Sequence, residues 1–347
     1  MSVVRMPNRR LSVAPMMDYT DRHARYLLRL ISRHTLLYTE MVTAAAVVHG
    51  DAARLLAFDA AEHPVALQLG GADPGEMAQA ARIGSEFGYD EINLNIGCPS
   101  DRVQSGRFGA CLMAEPDTVA ECVRAMRAET EVPVTVKTRI GIDHQDSYEA
   151  LCAFVDKVAA AGCETFVIHA RKAWLQGLSP KQNREIPPLD YPRVHRLKRD
   201  YPELEIILNG GIRSLAEAER ELVHVDGVMI GRAAFDDLWL LAEADRRLYS
   251  ATDALPTRRE VLEAYAGYCE RELARGTRLP HLTRHLMGLV QGLPGARRFR
   301  RHMSEDARRP DIGAELLLEA WDELAAELPT TPSGRCAPVA AGESRAE

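Results

Sequence analysis

In Asn93-Leu94-Asn95-Ile96-Gly97-Cys98-Pro99-Ser100, a cysteine stands between a glycine and a proline, a spacing that makes a defined turn and presents the thiol. A thiol is mostly protonated at neutral pH and can act as a general acid. A nucleophilic cysteine would want a neighbouring base, and the local sequence offers none, so proton donor is the favoured role. Lys137, in Val134-Thr135-Val136-Lys137-Thr138-Arg139, ends a β-type run. If it points inward it needs an anionic or electron-rich partner, because a buried unpaired charge is costly. A flavin supplies one, since negative charge gathers at its N1/O2 edge on reduction. Gln68 is a hydrogen-bonding partner for the amide-like edge of such a ring, and His169 an aid to phosphate binding.

Two glycine sites extend this reading. Asn209-Gly210-Gly211 and Gly231-Arg232 both place bare backbone where a helix is expected to start. Glycine lets amides approach an anion closely, and a helix N-terminus adds favourable partial charge. Both sites therefore point to a phosphate.

The elements that must position these residues form a regular series. Short apolar runs recur at Leu11–Met16, Thr35–Met41, Val65–Gly70, Glu91–Cys98, Val134–Gly141, Thr165–Ala170, Glu205–Gly211 and Gly227–Arg232. Between them lie helical patterns at Pro74–Phe87, Pro116–Glu129, Ser147–Ala161, Tyr191–Tyr201 and Ser214–Val223. Asp73-Pro74, Glu115-Pro116 and Ser214 with Glu217 read as helix starts. Eight strands alternating with helices predict a parallel sheet with helices outside. The strands read as nearly all apolar, as when both faces are buried. The first strand-to-helix junction lacks a GxGxxG turn, which favours a (β/α)8 TIM barrel over a doubly wound sheet. In such a barrel the chemistry sits at the C-terminal strand ends. Those ends carry Pro15-Met16-Met17, Glu40, Gln68, Asn95 with Cys98, Lys137 with Arg139, His169 with Arg171, and the two glycine sites.

After Tyr249 the alternation stops. Arg258–Arg275, His281–Leu289 and Gly313–Leu328 read as helices. The expected organisation is a barrel over 1–249, a hinge at Ser250–Pro256, a smaller all-helical domain over 250–328, and a disordered tail over 329–347. The net charge of −7 argues against non-specific nucleic-acid binding by the whole surface. Between Pro256 and Pro310, however, twelve arginines face six acids, a local excess of +6 that includes Arg297-Arg298-Phe299-Arg300-Arg301. The seven cysteines form no CxxC pair and no metal-type cluster with histidine, so no metal is expected. No apolar stretch reaches the ~18 residues of a membrane span. The opening segment does not read as a signal peptide, and a cytoplasmic protein is expected.

These residues resemble the tRNA-dihydrouridine synthases. The resemblance is carried by Ala14-Pro15-Met16-Met17-Asp18, Asn93–Pro99, Val136-Lys137-Thr138-Arg139, His169-Ala170-Arg171, Asn209-Gly210-Gly211 and Gly231-Arg232, and runs from Leu11 to about Trp321. The runs His169–Leu175, Ser179–Leu189 and Gln291–Arg297 are similar to the bacterial A-type branch of that family. The resemblance implies bound FMN, NADPH as reductant, hydride transfer from flavin N5 to uracil C6, and protonation of C5 by Cys98. It implies FMN contacts from Pro15, Met16, Met17, Gln68, Lys137, His169, Asn209, Gly210, Gly211, Gly231 and Arg232, with Asn95 facing an extruded uracil. The substrate implied is the tRNA D-loop, chiefly positions 20 and 20a.

A base inside folded RNA must be extruded to reach such a site, and the rest of the RNA then needs a cationic platform. Lys181, Arg184, Arg297 and Arg300 are the expected tRNA contacts. Two rival readings remain: a flavin barrel acting on a free pyrimidine, which leaves the basic helical extension unexplained, and an RNA-binding or folding-assistant protein whose chemistry is incidental.

Overall fold

A computed structural model of the chain describes residues 6–100 and 106–328. Nine strands run in order: β1 Leu11–Val13, β2 Leu36–Tyr38, β3 Val42–Thr43, β4 Val65–Gly70, β5 Glu91–Ile96, β6 Val134–Arg139, β7 Thr165–His169, β8 Glu205–Asn209 and β9 Gly227–Ile230. Each pairs in parallel with its neighbours, and β2 pairs with both β1 and β4, which closes eight of them into a barrel. The two-residue β3 lies outside that ring, against the end of β4. The fold is the expected TIM barrel.

Local chemistry explains the surrounding helices. Asp73 caps Pro74–Glu86, and Ser147 caps Tyr148–Ala160, each accepting from a first-turn amide. Pro116 opens its helix, but Glu115 makes no side-chain cap. Ser214 accepts from the Glu217 amide at 3.1 Å, whereas the Glu217 carboxylate accepts from Arg213, so that cap is one-sided.

Alternation along the strands separates two environments. Outward residues such as Leu67, Ile92, Leu94, Val136, Phe166 and Leu208 join the main core under the helices. The barrel interior holds a small apolar cluster of Ala14, Leu36, Tyr38, Ala66, Val167, Ile207 and Met229. Its other side is polar, with Gln68, Glu91, Asn93, Asn95 and Thr135 all buried. The expectation of nearly all-apolar strands is therefore corrected for β5 and β6. Glu91-Ile92-Asn93-Leu94-Asn95-Ile96 alternates polar and apolar because its two buried faces differ in kind.

After Tyr249 the regular elements of the described residues are helices only: Arg258–Ala274, Leu279–Thr283 continued by a 3-10 turn at Arg284–Gly288, Ala296–Ser304, a 3-10 turn at Asp306–Arg308 and Leu316–Ala325. Ala296–Ser304 was not among the expected helices, although its buried Ala296, Phe299 and Met303 form a helical stripe. The extension docks on the first barrel helix, Arg22–Ile31. Tyr26 stacks on Tyr268 with ring centroids 4.0 Å apart, and His23 Nδ1 lies 2.7 Å from the Tyr268 hydroxyl. Arg22 pairs with Glu272, and Asp21 with Arg284. Val261, Leu262 and Leu282 belong to the same continuous apolar core as the barrel helices. The segment expected as a hinge has neither helix nor strand and begins at Ser250, in the left-handed region at φ 56°. The tail expected over 329–347 lies outside the described residues.

Candidate active site

The Cys98 turn is built from β5. Asn95 is the last inward residue of that strand, and its Oδ1 accepts from the Gly97 amide at 3.1 Å and the Cys98 amide at 3.0 Å. The Cys98 carbonyl accepts from Ala110, and the half-buried Sγ lies 3.5 Å from the Ser100 hydroxyl. Arg139, at the end of β6, holds the turn from the other side. Its Nε donates to the Gly97 carbonyl at 2.8 Å, and its Nη1 to the carbonyls of Lys172 and Asn183. Arg139 thus ties the cysteine turn to the loop after β7. Asn183, fully buried, keeps that loop folded through bonds to Trp174 and Leu178. A sequence pattern gives no hint that Asn183 is a strut, because its partners are backbone groups.

Lys137 projects from β6 to Asn209 Oδ1, 2.9 Å away on β8, and makes no ion pair among the described residues. Desolvation first, then Arg139, push the Lys137 ammonium down to about 7, while Cys98 works the other way. The other Asn209 amide atom donates to the Met229 carbonyl, so Asn209 locks between Lys137 and β9. Desolvation and the surrounding Arg139, Lys137, Arg171 and Arg184 hold His169 well below its ordinary range, hence neutral.

Gly210 and Gly211 have left-handed φ values of 111° and 79°. A Cβ on Gly210 would meet the His169 ring at 2.6 Å, and one on Gly211 would meet Leu189 at 2.5 Å. Glycine is thus required here by backbone and neighbours together. Gly231 differs: its Cβ would meet nothing nearer than Met16 Sδ at 4.0 Å, leaving room beside bare backbone. The expected helix starts are only partly there. Leu215–Glu221 begins four residues after Gly211, and Ala233–Asp236 is a single turn. A phosphate at this rim would rest on amides, His169 and Arg232 more than on helix dipoles.

The remaining expected residues divide by position. Met16 packs on the interior cluster beside Pro15, and Met17 is 56% exposed at the rim. Gln68 is buried, donating to Asn93 and accepting from Asn95, each at 2.8 Å. Arg232 pairs with Glu185 at 2.8 Å. Lys181 and Arg184 are exposed and unpaired among the described residues, and Arg184 lies within electrostatic reach of Cys98, Arg232 and Tyr19. Arg297 is also exposed and unpaired, but Arg300 donates to the Met287 carbonyl and to Gln291. Arg301, one turn after Arg297, is likewise exposed and unpaired among the described residues. Sequence reasoning preferred Arg300; only the three-dimensional partners separate the two.

The residues at the mouth fit a flavin nucleotide. Lys137 is a desolvated cation without an acid paired to it among the described residues, and Gly231 leaves a cradle that a Cβ would narrow. A neutral imidazole, two glycine amides and Arg232 form a donor set suited to a phosphate.

Comparison with known proteins agrees with this geometry. The family model described as "Dihydrouridine synthase (Dus)" matches residues 12–324. The tRNA-dihydrouridine(20/20a) synthase of Vibrio cholerae is 60% identical over 316 residues, covering 91% of this chain and 96% of its own. That of Escherichia coli K12 is 59% identical over 312 residues, 90% of each chain. Among solved structures, a 2-naphthoyl-CoA reductase in complex with 2-naphthoyl-CoA shares the fold, with a TM-score of 0.54 at 13% identity over 69% of this chain. The present chain spans about half of that protein, 51%. On the family match and on this extent of identity, the chain belongs to the dihydrouridine synthase family.

Proposed function

We propose that this protein reduces uridines at positions 20 and 20a of the tRNA D-loop to 5,6-dihydrouridine, using bound FMN and NADPH as reductant, in the cytoplasm. The observation that carries this reading is Lys137: a desolvated cation hydrogen-bonded to the Asn209 amide, at the mouth of a barrel where Gly231 leaves open space beside bare backbone. The names of the relatives supply the positions in tRNA.

When bound, a reduced flavin supplies the hydride that adds to uracil C6. The residues of this chain handle the remaining tasks. Cys98 gives its proton to C5, which saturates the 5,6 double bond and leaves a thiolate to be reprotonated from solvent. Lys137, Arg139 and Arg184 all lie within electrostatic reach of that sulfur and stabilise the charge left behind. Asn95, fixed by the turn amides and Gln68, holds the pyrimidine through its remaining N–H. Lys137 and Gln68 hold the ring system, with Pro15, Met16 and Met17 along it. His169, Asn209, Gly210, Gly211, Gly231 and Arg232 hold the phosphate side. Lys181 and Arg184 on the rim, with Arg297 and Arg301 on the helical extension, meet the RNA backbone.

A free pyrimidine needs no such cationic platform, so tRNA is the better substrate for this molecule. The test is mass spectrometry of D-loop fragments from unmodified tRNA incubated with the protein, FMN and NADPH. A gain of two hydrogens on a D-loop uridine supports the reading. No gain, from protein that still oxidises NADPH, would redirect it to free pyrimidines.

A further inference from the structure

Eight hydrogen bonds join the floor of the barrel to the cysteine turn at its mouth. At the floor, Arg9 Nε donates to Glu91 Oε2 at 2.6 Å, and both residues are buried. Burial works against the Arg9 charge, but Glu91 and Glu205 hold the guanidinium protonated. The other oxygen, Glu91 Oε1, accepts from the hydroxyls of Tyr38 and Thr135, each at 2.6 Å. Above it, Asn93 Nδ2 donates to Thr135 Oγ1, Gln68 Nε2 to Asn93 Oδ1, and Asn95 Nδ2 to Gln68 Oε1, each at 2.8 Å. Asn95 Oδ1 then receives the Gly97 and Cys98 amides.

From Thr135 upward, every bond in this column donates toward Glu91. A carboxylate only accepts, so the Thr135 hydroxyl must donate downward and can then accept from above. That choice fixes Asn93 with its nitrogen down, which fixes Gln68, which fixes Asn95. Each side-chain amide has two orientations of nearly equal shape, and the carboxylate at the bottom selects for all three the one that the turn amides at the top also require. With its oxygen committed to two backbone amides, Asn95 is left with one N–H to offer. A donor suits a carbonyl oxygen of the pyrimidine and disfavours an exocyclic amino group.

We propose that Glu91, at the barrel floor and far from the reacting atoms, is a positioning residue: its carboxylate sets the orientation of the Asn95 amide through Thr135, Asn93 and Gln68, and so holds the Cys98 turn and the hydrogen-bonding sense of the pyrimidine subsite. The consequence for the pyrimidine rests on the proposed reaction; the consequence for the Cys98 turn does not.

Replacing Glu91 would leave buried Arg9 with Glu205 alone, so the column is best cut at its second link. Thr135→Val keeps the shape and removes the hydroxyl; Thr135→Ser keeps the hydroxyl and removes the methyl. A packing role makes serine the worse variant, whereas the column makes valine the worse one and serine the rescue. The measurement is hydrogen exchange of the 91–100 segment in the full-length protein as purified, followed by mass spectrometry. The expected result is exchange at Gly97 and Cys98 about tenfold faster in Thr135→Val. Thr135→Ser should stay within about twofold of the parent protein, on the same scale of local opening. Parent-like protection in Thr135→Val, or equal loss in both variants, would overturn the proposal. Dihydrouridine formation is measured in parallel. If the parent protein forms none while the exchange ordering holds, the reaction reading fails and the column stands.

Discussion

Burial and Arg139 bring Lys137 down to about 7, so near neutral pH its ammonium is only partly charged before an anionic ring arrives. The folded value lies below the ordinary 10.5, so the unfolded chain binds more protons between about pH 7 and 10.5. Without ligand, Lys137 therefore makes stability rise with pH across that window. A bound flavin restores the charge, and binding should take up a proton there. Calorimetry of FMN binding at pH 8.5, in two buffers of different ionisation enthalpy, checks this; Lys137→Met should lose both the uptake and much of the affinity. Cys98→Ala removes a proton donor and little structure, since the turn is held by backbone amides and Arg139. It should keep flavin and tRNA binding and lower dihydrouridine formation by about 10²- to 10⁴-fold, the usual contribution of a general acid. Single-turnover assays with mass-spectrometric detection read that loss. A loss of tRNA binding instead would make Cys98 a docking residue.

At the scale of elements, the two glycine sites have different reasons to exist, and substitution should separate them. Gly210→Ala puts a side chain at φ 111° and against His169, which should cost about 1–3 kcal/mol of stability. Gly231→Ala meets open space and should leave the urea midpoint nearly unchanged while weakening FMN binding. Equal effects on both midpoints would remove the cradle from the argument. The strands themselves were legible in the sequence because short β-type runs between capped helices admit few readings. Strand ends were overextended: β1 stops at Val13 and β5 at Ile96, since residues beyond them leave the ladder to form the mouth. The polar interior was written in the alternation of Glu91 to Ile96 and of Thr135 and Lys137, but alternation cannot tell a solvated face from a hydrogen-bonded barrel interior.

The whole molecule joins the barrel to a basic helical extension through one apolar core and a rim of charge pairs. Arg297 and Arg301 stand exposed on that extension, unpaired among the described residues. Arg297→Gln with Arg301→Gln should weaken tRNA binding and lower the salt dependence of log Kd by about one per lost phosphate contact. An unchanged slope in a filter-binding titration would move the docking face elsewhere. The junction also predicts a pH response. Burial brings His23 down to about 4 from its ordinary 6.5, so the unfolded chain binds the extra proton between these values, and stability falls as pH drops through that window. Asp21, which hydrogen bonds to His285, Ala24 and Arg284 hold below its ordinary range against its burial, loses its contribution only at lower pH. Urea midpoints from pH 7 to 4.5 should therefore fall in the parent and fall less steeply in His23→Gln, where the depressed His169 still contributes. A parallel fall in both would assign the response to other groups.

By itself the sequence determined the barrel, the strand ends that carry chemistry, and the family, because those depend on local periodicity and on short motifs that persist in one dimension. Tertiary structure decided what the side chains are free to do. It committed Arg300 to a carbonyl and left Arg301 exposed, tied each amide atom of Gln68 to a neighbouring asparagine, and stacked Glu91, Asn93 and Asn95 into one column with Thr135. A hydrogen bond between strands joins residues dozens of positions apart, and no spacing along the chain records which of two orientations an amide will take.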